Sequence, residues 1–356
     1  LAGVGRGLFQ FVSDKTYAQA EWEWLEHLQS NGVNVTYTLA QDPGAPEAYL
    51  ANMDANHAAT LAGTPTAPQV PTRPTGLLYG LQSTLHPFRA HPSYRKIADR
   101  PHDERLAAMR DPEFRARLLA EEPKTKDRFI WYLVNNFAHM YRLGDPADYE
   151  PPKEQGAAAV AEREGRTPQE VIYDWLLEDD GTAMIFMPLG SYVDHDHEAI
   201  RAMIEHPGSI FGLSDGGAHC GTICDAAATT FMLQHWVRDR EGHRIPLERA
   251  IKRQCHDTAR LYGFEDRGVL APGLLADLNV IDLESLQLNL PTVAFDLPAG
   301  GRRLLQTASG YDCTIKSGRV TFRGGVATGE YPGRVIRGPQ PVPESSSLPA
   351  TASDSR

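Results

Sequence analysis

The stretch Gly212-Leu213-Ser214-Asp215-Gly216-Gly217-Ala218-His219 places an acidic side chain directly after a short apolar run, residues 209–213. Such a run is typical of a buried strand, and the two glycines after Asp215 allow the backbone to turn sharply and approach a ligand. An acid at the carboxyl end of a buried parallel strand is where α/β barrels keep catalytic groups. The pattern also fits a strand-terminal aspartate that caps the next turn, so Asp215 is a candidate site residue with a structural alternative.

The chain before this stretch alternates between strand and helix patterns. Apolar and β-branched residues predict strands at 8–12 and 33–39, and helical spacing predicts a helix over 17–30 between them. Asn31-Gly32 is a helix stop signal ahead of the second strand. Strand, helix and strand in this order form a βαβ unit, which implies a parallel sheet and an α/β fold.

Three further segments complete the domain organisation that the sequence predicts. Residues 86–148 are long for a simple connection, and we expect them to form an insertion that covers a site. From Gly268 onward short strands and glycine turns replace the helices. The sequence therefore predicts a barrel portion at 1–262, a small β domain at 263–337, and a disordered tail rich in proline and serine at 338–356.

Composition excludes several classes of function. The net charge of −11 argues against nucleic-acid or anionic-membrane partners, because both require a basic face. No apolar run approaches the ~20 residues that span a bilayer. Four unpatterned cysteines do not make a disulfide framework, which favours a cytoplasmic location. The chain starts Leu1-Ala2-Gly3 and enters a core strand almost at once, so we expect the N-terminus to be cut or incomplete.

Segments spread from Gln69 to about Arg337 carry a resemblance to a known family. They are Gln69-Val70 with Arg73-Pro74-Thr75-Gly76, Leu81-Gln82-Ser83-Thr84-Leu85-His86-Pro87-Phe88, the Asp215 stretch, Leu233-Gln234-His235-Trp236-Val237-Arg238, Arg267-Gly268-Val269-Leu270-Ala271-Pro272-Gly273, Ala276-Asp277-Leu278-Asn279-Val280-Ile281-Asp282 and Asp296-Leu297-Pro298-Ala299-Gly300-Gly301-Arg302-Arg303. With these motifs the chain resembles the amidohydrolase superfamily, specifically its branch of N-acyl-D-amino-acid deacylases (D-aminoacylases).

The resemblance implies a metal-dependent (β/α)₈ TIM barrel joined to a small β-sandwich built from both chain ends. In such enzymes a zinc-bound hydroxide attacks an amide carbonyl, and another divalent metal could replace the zinc. An aspartate at the end of the eighth strand contacts the metal, acts as base and returns the proton to the leaving amine, and Asp215 matches that position. Arg73 is predicted to bind a substrate carboxylate or, alternatively, to anchor the structure, and His86 and His219 are predicted to line the substrate site.

The sequence departs from the family pattern in its metal ligands. The family's His-x-His pair and its Cys or acidic ligand are expected upstream of Leu1, and fewer than eight barrel strands can be counted. The pair His195-Asp196-His197 occurs late in the chain, and we predict a solvated helix start capped by Asp194 or Asp196, with an accessory metal contact as the alternative.

A second group of donors follows Asp215 in the sequence. His219, Cys220, Cys224 and Asp225 offer suitable metal ligands, but Cys-x₃-Cys without a second pair is weak evidence for a site. Cysteine is common as a small core residue, so packing is the alternative interpretation.

These observations predict a hydrolase of non-peptide carbon–nitrogen amide bonds, with an N-acyl-D-amino acid as the expected small-molecule substrate. Two alternatives stay open. One is a cyclic-amide hydrolase of the hydantoinase kind, and the other is a non-catalytic, truncated chain that lacks its metal ligands. The sequence also leaves a homo-oligomer open.

Overall fold

The computed structural model describes residues 7–13, 18–63, 66–212, 214 and 219–343. Asp215, the central residue of the sequence analysis, lies outside the described residues, as do Leu213 and residues 216–218.

Strands and helices have the following bounds. The strands are β1 (Leu8–Phe11), β2 (Asn34–Thr38), β3 (Thr66–Val70), β4 (Gly76–Tyr79), β5 (Tyr141–Arg142), β6 (Ile185–Pro188), β7 (Ile210–Phe211), β8 (Leu278–Ile281), β9 (Gln287–Leu288), β10 (Thr292–Leu297), β11 (Gly301–Leu305), β12 (Ala308–Ser309), β13 (Tyr311–Lys316), β14 (Arg319–Arg323) and β15 (Val326–Ala327). The α-helices are α1 (Ala18–Ser30), α2 (Ala48–Leu61), α3 (Pro92–Arg95), α4 (His102–Arg110), α5 (Pro112–Leu119), α6 (Arg128–Asn135), α7 (Ala157–Glu164), α8 (Pro168–Leu176), α9 (Glu198–Glu205), α10 (Ala228–Phe231), α11 (Leu247–Ile251) and α12 (Thr258–Leu261). The 3₁₀ turns are Pro87–Ala90, Phe137–His139, Lys153–Gln155, Asp179–Gly181 and Pro298–Gly300.

Two π-helical segments extend the late helices. The segment Met232–Asp239 continues α10, and Lys252–Asp257 joins α11 to α12. In the first of them the backbone N–H of Arg240 donates to the carbonyl of His235 at 2.8 Å, an i→i+5 bond typical of a π-helix.

A parallel sheet forms the first layer of the fold, with strand order β1-β2-β3-β7. Helix α1 joins β1 to β2 and α2 joins β2 to β3, so the predicted βαβ unit is confirmed. Buried apolar residues on the sheet, such as Val35, Val70 and Phe211, pack into one large core. Because parallel strands end at the same edge, the segments that follow β2, β3 and β7 meet there.

A long insertion separates β3 from β7. Its antiparallel sheet has the order β4-β6-β5, and helices α3 to α8 surround it. The buried tyrosines Tyr79, Tyr94 and Tyr173 belong to a second hydrophobic core that is built from insertion residues. Over the described ranges the parallel sheet contains four strands and does not close into a ring.

The C-terminal part is antiparallel. Its largest sheet has the order β15-β14-β13-β8, and two short ribbons pair β10 with β11 and β9 with β12. Leu286, Leu288 and Leu304 from this part join the same core as the parallel sheet. In the first residues of the predicted tail, the backbone of Gln340 bonds to Gly263 and Glu265, and residues 344–356 lie outside the described residues. No helix in the described part of the chain is long and apolar enough to span a membrane.

Candidate functional site

The carboxyl edge of the parallel sheet is held by loops from distant parts of the chain. Beyond β2, the backbone N–H of Gln41 donates to Ser191 Oγ at 3.0 Å, and the Gln41 side-chain oxygen accepts from the backbone of Val193 at 3.3 Å. Beyond β3, the carbonyl of Thr72 accepts from the indole N–H of Trp236 at 2.6 Å. The segments 189–197 and 232–239 are therefore fixed over the ends of β2 and β3.

Gly212, the first residue of the Asp215 stretch, follows β7 and lies very close to β3. A Cβ atom at this position would lie 2.6 Å from Cβ of Gln69 on β3, so a larger residue would force the strands apart. His219, the last residue of the stretch, is exposed and has a left-handed backbone with φ of 50°. Its carbonyl accepts from the backbone of Thr222 and Ile223. Substrate binding by His219 stays a prediction.

Arg73 is buried at the end of β3, with 2% of its surface exposed. Its Nη2 atom donates to the carbonyl of Cys224 at 2.6 Å and lies 3.6 Å from the Asp225 carboxylate. The guanidinium stacks 3.8 Å from the centroid of the Tyr149 ring. These contacts match the structural-anchor alternative, because they tie β3 to the segment that follows β7. Binding of a substrate carboxylate by Arg73 stays a prediction.

His86 lies in the core of the insertion rather than at the sheet edge. It is 1% exposed, and its ring packs edge-on against Tyr94 with centroids 4.4 Å apart. Burial, with the nearby cations Arg89 and Arg105, lowers the pKa of His86 to about 3. The imidazole is therefore neutral at physiological pH, and its role in lining a substrate site stays a prediction.

Three side chains from separate segments meet at the carboxyl edge, and we call them the Glu150 cluster: Glu150, His197 and His235. Their candidate ligand atoms all lie within 4.8 Å of one another. His235 Nε2 is 2.7 Å from Glu150 Oε2, and His197 Nδ1 is 3.4 Å from the same oxygen. The imidazole of His197 stacks on Trp236, the indole that holds the end of β3.

Arg240 completes the surroundings of this carboxylate. Its Nε and Nη2 atoms donate to the two oxygens of Glu150 at 3.1 and 2.9 Å. Burial alone would raise the pKa of Glu150, but the hydrogen bonds from His235 and Arg240 outweigh it and hold that pKa well below its usual range. Burial also lowers the pKa of His197 to about 3. The cluster therefore combines an ionised carboxylate with a neutral imidazole.

The sequence comparison with protein families decides the class of this chain. A model described as the amidohydrolase family matches residues 6–322. The chain belongs to the amidohydrolase family. The family predicted from the motifs is thereby confirmed, and the match covers both the parallel sheet and most of the antiparallel part.

Two solved amidohydrolase structures are similar to this family member. One is a crystal structure of D-aminoacylase, 16% identical, covering 91% of this chain and 54% of that one, with a TM-score of 0.46. The other is N-acyl-D-glutamate deacylase from Bordetella bronchiseptica complexed with zinc and a phosphonate inhibitor, 20% identical, covering 92% and 56%, with a TM-score of 0.45. This chain therefore spans just over half the length of either deacylase. No curated protein matches the sequence.

The donors near the strand ends of this amidohydrolase differ in how well they suit zinc. Gln41 follows the end of β2, and Gln69 lies near the end of β3. Both offer neutral amide groups, whereas zinc prefers imidazole, thiolate and carboxylate ligands. Cys224 is buried, which raises the pKa of its thiol to about 11 and disfavours the thiolate that metal binding needs. Across the residues that the structure describes, only the Glu150 cluster brings three such donors together.

The prediction for His195-Asp196-His197 is wrong at His197. Asp196 Oδ1 does accept from the backbone N–H of Glu198, the first residue of α9, at 2.9 Å, but His197 rather than Asp196 occupies the N-cap position, and its side chain makes no cap bond. The helix start is not solvated at His197, which is 0% exposed and packs between aromatic rings. The polar residues next to His197 in the sequence indicated an exposed side chain, so its burial was not predicted. No sequence motif linked His197 to Glu150 or His235.

Proposed function

We propose that this amidohydrolase is a metal-dependent hydrolase of carbon–nitrogen amide bonds, with N-acyl-D-amino acids as its substrates. The observation that carries the proposal is the family match over residues 6–322, which includes the whole Asp215 stretch. The motifs shared with the deacylase branch support the linear amide over a cyclic one. No contact in the described part of the molecule favours the hydantoinase-like alternative.

The proposal includes the architecture. The four parallel strands β1, β2, β3 and β7 are taken as part of a (β/α)₈ barrel in domain 1–262, and residues 263–337 as the small β domain. The common edge of these strands supports this placement, since barrel enzymes build their active sites from the segments that follow the strands.

In the proposed mechanism Asp215 is both metal ligand and proton carrier at the carboxyl end of β7. A bound zinc ion would lower the pKa of its water to ~7 and polarise the substrate carbonyl. The Asp215 carboxylate would accept the proton from the attacking water and give it to the leaving amine. Gly212, three residues before Asp215 in the sequence, has no side chain and so lets the end of β7 lie close to Gln69 on β3.

The test is hydrolysis of N-acetyl-D-amino acids by the full chain supplied with zinc. Because a general acid–base group contributes about 10²–10⁴-fold, Asp215→Asn should lower kcat by at least about 10²-fold while the circular dichroism spectrum stays unchanged. Asp54→Asn is the control, since the Asp54 side chain is 80% exposed. Full turnover by Asp215→Asn would remove Asp215 from this role. Failure of the unchanged, zinc-loaded chain to hydrolyse any amide would overturn the proposed function.

A further inference from the structure

We propose that the Glu150 cluster is a divalent-cation site, best suited to zinc, that does not use Asp215. Glu150 would supply one carboxylate oxygen, and His197 and His235 one ring nitrogen each. The proposal goes beyond the hydrolytic function and stands whether or not that function holds.

The spacing of the donor atoms suits a small tetrahedral ion. Bonds of about 2.0–2.2 Å to nitrogen and oxygen ligands require donor atoms about 3.3–3.6 Å apart. The distance of 3.4 Å between His197 Nδ1 and Glu150 Oε2 already meets this requirement. His235 Nε2, at 2.7 Å from that oxygen, needs to move outward by less than an ångström, roughly, as the cation replaces the bridging proton.

His197 gives an independent reason to expect a ligand. Its side chain is completely buried, and neither ring nitrogen has a hydrogen-bond partner in the described structure. The carbonyl of Tyr149 lies close enough to affect the ring's pKa, but not in hydrogen-bonding geometry. Buried polar atoms are rarely left in this state, and each one costs about 1–3 kcal/mol. A cation bound at Nδ1 would satisfy one of the two nitrogens.

The charges around the cluster also accommodate a cation. Glu150 and Glu198 both accept from Arg240, and the exposed Asp148 lies near His235 and Glu150. Glu198 also pairs with Arg201 at 2.6 Å, so the negative charge that a cation would meet at the cluster is that of Glu150, partly offset by Arg240, with Asp148 adding to it. Arg240 can keep its bonds of 2.9 Å to Oε1 and 3.1 Å to Oε2 while a metal takes the place of the His235 hydrogen bond at Oε2, since carboxylate ligands are commonly hydrogen-bonded in turn.

A small cavity lies beside one of the three proposed donors, His235. It has a volume of about 50 Å³ and is bordered by Asp148, Tyr149, Phe231 and His235, among others. A single water needs only about 10–15 Å³ of such space, so the cavity can hold a water beside His235, and neither Glu150 nor His197 lines it.

The competing explanation is a metal-free ion network in which Glu150 serves only Arg240 and His235. In that network the side chain of His197 has no role, whereas in the cation site it is a ligand. The two explanations therefore make different predictions for this residue. His86 is the matched control, because it too is completely buried with both ring nitrogens unpartnered, but its charged neighbours are cations.

The experiment measures binding of Zn²⁺ and of Co²⁺, as a spectroscopic probe, to the chelator-stripped full chain carrying Asp215→Asn. We expect one ion per chain by calorimetry and a tetrahedral Co²⁺ absorption band. Removing a ligand should weaken binding more than the 10–100-fold typical of an outer hydrogen-bond partner, so His197→Leu should weaken it by at least about 100-fold. His86→Leu should leave the affinity unchanged. If His197→Leu does not fold, His235→Gln replaces it with the same expectation.

Two results would overturn the site. One is the absence of stoichiometric binding in the Asp215→Asn chain, and the other is equal affinity in the His197→Leu and His86→Leu proteins. Because every protein in the series lacks the Asp215 carboxylate and no activity is measured, neither result bears on the proposed hydrolysis.

Discussion

The pockets around His197 and His86 contain the same unusual feature in opposite electrostatic settings. Both imidazoles are completely buried without hydrogen bonds, and burial lowers the pKa of each to about 3. His197 faces the ionised carboxylate of Glu150 at the edge of the parallel sheet. His86 lies in the insertion core near the cations Arg89 and Arg105, and its ring packs on Tyr94.

The difference shows that burial and a shifted pKa do not by themselves identify a binding site. A neutral imidazole can bind a cation only where other donors converge and where the local charge does not repel it. The Glu150 cluster meets both conditions, whereas Arg89 and Arg105 make the surroundings of His86 unfavourable for a metal. Three predictions test this contrast.

The largest effect is expected from Glu150→Gln. It leaves Arg240, whose side chain is 7% exposed, with a neutral partner in place of a carboxylate, and breaking such a buried pair costs about 3–5 kcal/mol. Glu198→Gln removes the other partner of Arg240, but the Glu198 side chain is 49% exposed, so we expect a cost of about 0–1 kcal/mol. Urea denaturation measures both. Similar losses in the free energy of unfolding for the two variants would mean that Glu150 is not the main partner of Arg240.

A smaller effect concerns the pH dependence of stability at His86. Its pKa is about 3 in the folded protein against an ordinary value of 6.5, so the unfolded chain binds more protons between these values. The free energy of unfolding should therefore decrease as pH falls through this window, by up to about 1.4 kcal/mol per pH unit from this residue.

His86→Leu should remove that contribution and flatten the dependence between pH 4 and 6, roughly, as measured by denaturation at each pH. His243→Gln is the control, because the His243 side chain is 50% exposed. If His86→Leu left the slope of unfolding free energy against pH unchanged, His86 would not be held neutral in the folded protein. The comparison with His197 would then be wrong.

The smallest effect is expected from Thr167→Ala in the insertion. Thr167 caps α8 in a reciprocal capping box with Glu170, and losing such a cap costs about 1 kcal/mol. Thr167→Ser keeps the hydroxyl and should lose much less. Thermal unfolding with and without Zn²⁺ should show the same zinc-dependent increase in Tm for the unchanged protein, Thr167→Ala and Thr167→Ser. A reduced increase in Thr167→Ala would mean that the two pockets are energetically coupled.

Local sequence patterns anticipated the scaffold well. The helix expected at 17–30 is Ala18–Ser30, and the strand expected at 33–39 is Asn34–Thr38. These elements could be recognised because hydrophobic period, stop signals and β-branched residues act over a few neighbouring positions. The turn predicted at Gly216 and Gly217 lies outside the described residues and stays a prediction, and the close approach of Gly212 to Gln69 was not predicted.

The Glu150 cluster could not be anticipated in this way. Glu150 meets His197 across 47 positions and His235 across 85 positions of sequence. Pro151 and Pro152, which follow Glu150, are typical only of a break in the chain, and His235 occurs within a motif that was used to recognise the family. Spatial convergence of this kind depends on how the loops are fixed over the sheet edge, which no local period encodes.

The π-helical winding of Met232–Asp239 determines which residues of this segment reach Glu150. His235 and Arg240 are five positions apart, and on an ordinary α-helix of 3.6 residues per turn they would point about 140° away from each other. The i→i+5 bond between their backbones brings them onto one side, where both contact the same carboxylate. The number of residues between His235 and Arg240 therefore helps to determine whether both can contact Glu150. Deleting one residue between them would give a spacing of four, which an ordinary α-helix also places on one side, so the π-helical turn and the five-residue spacing compensate for each other.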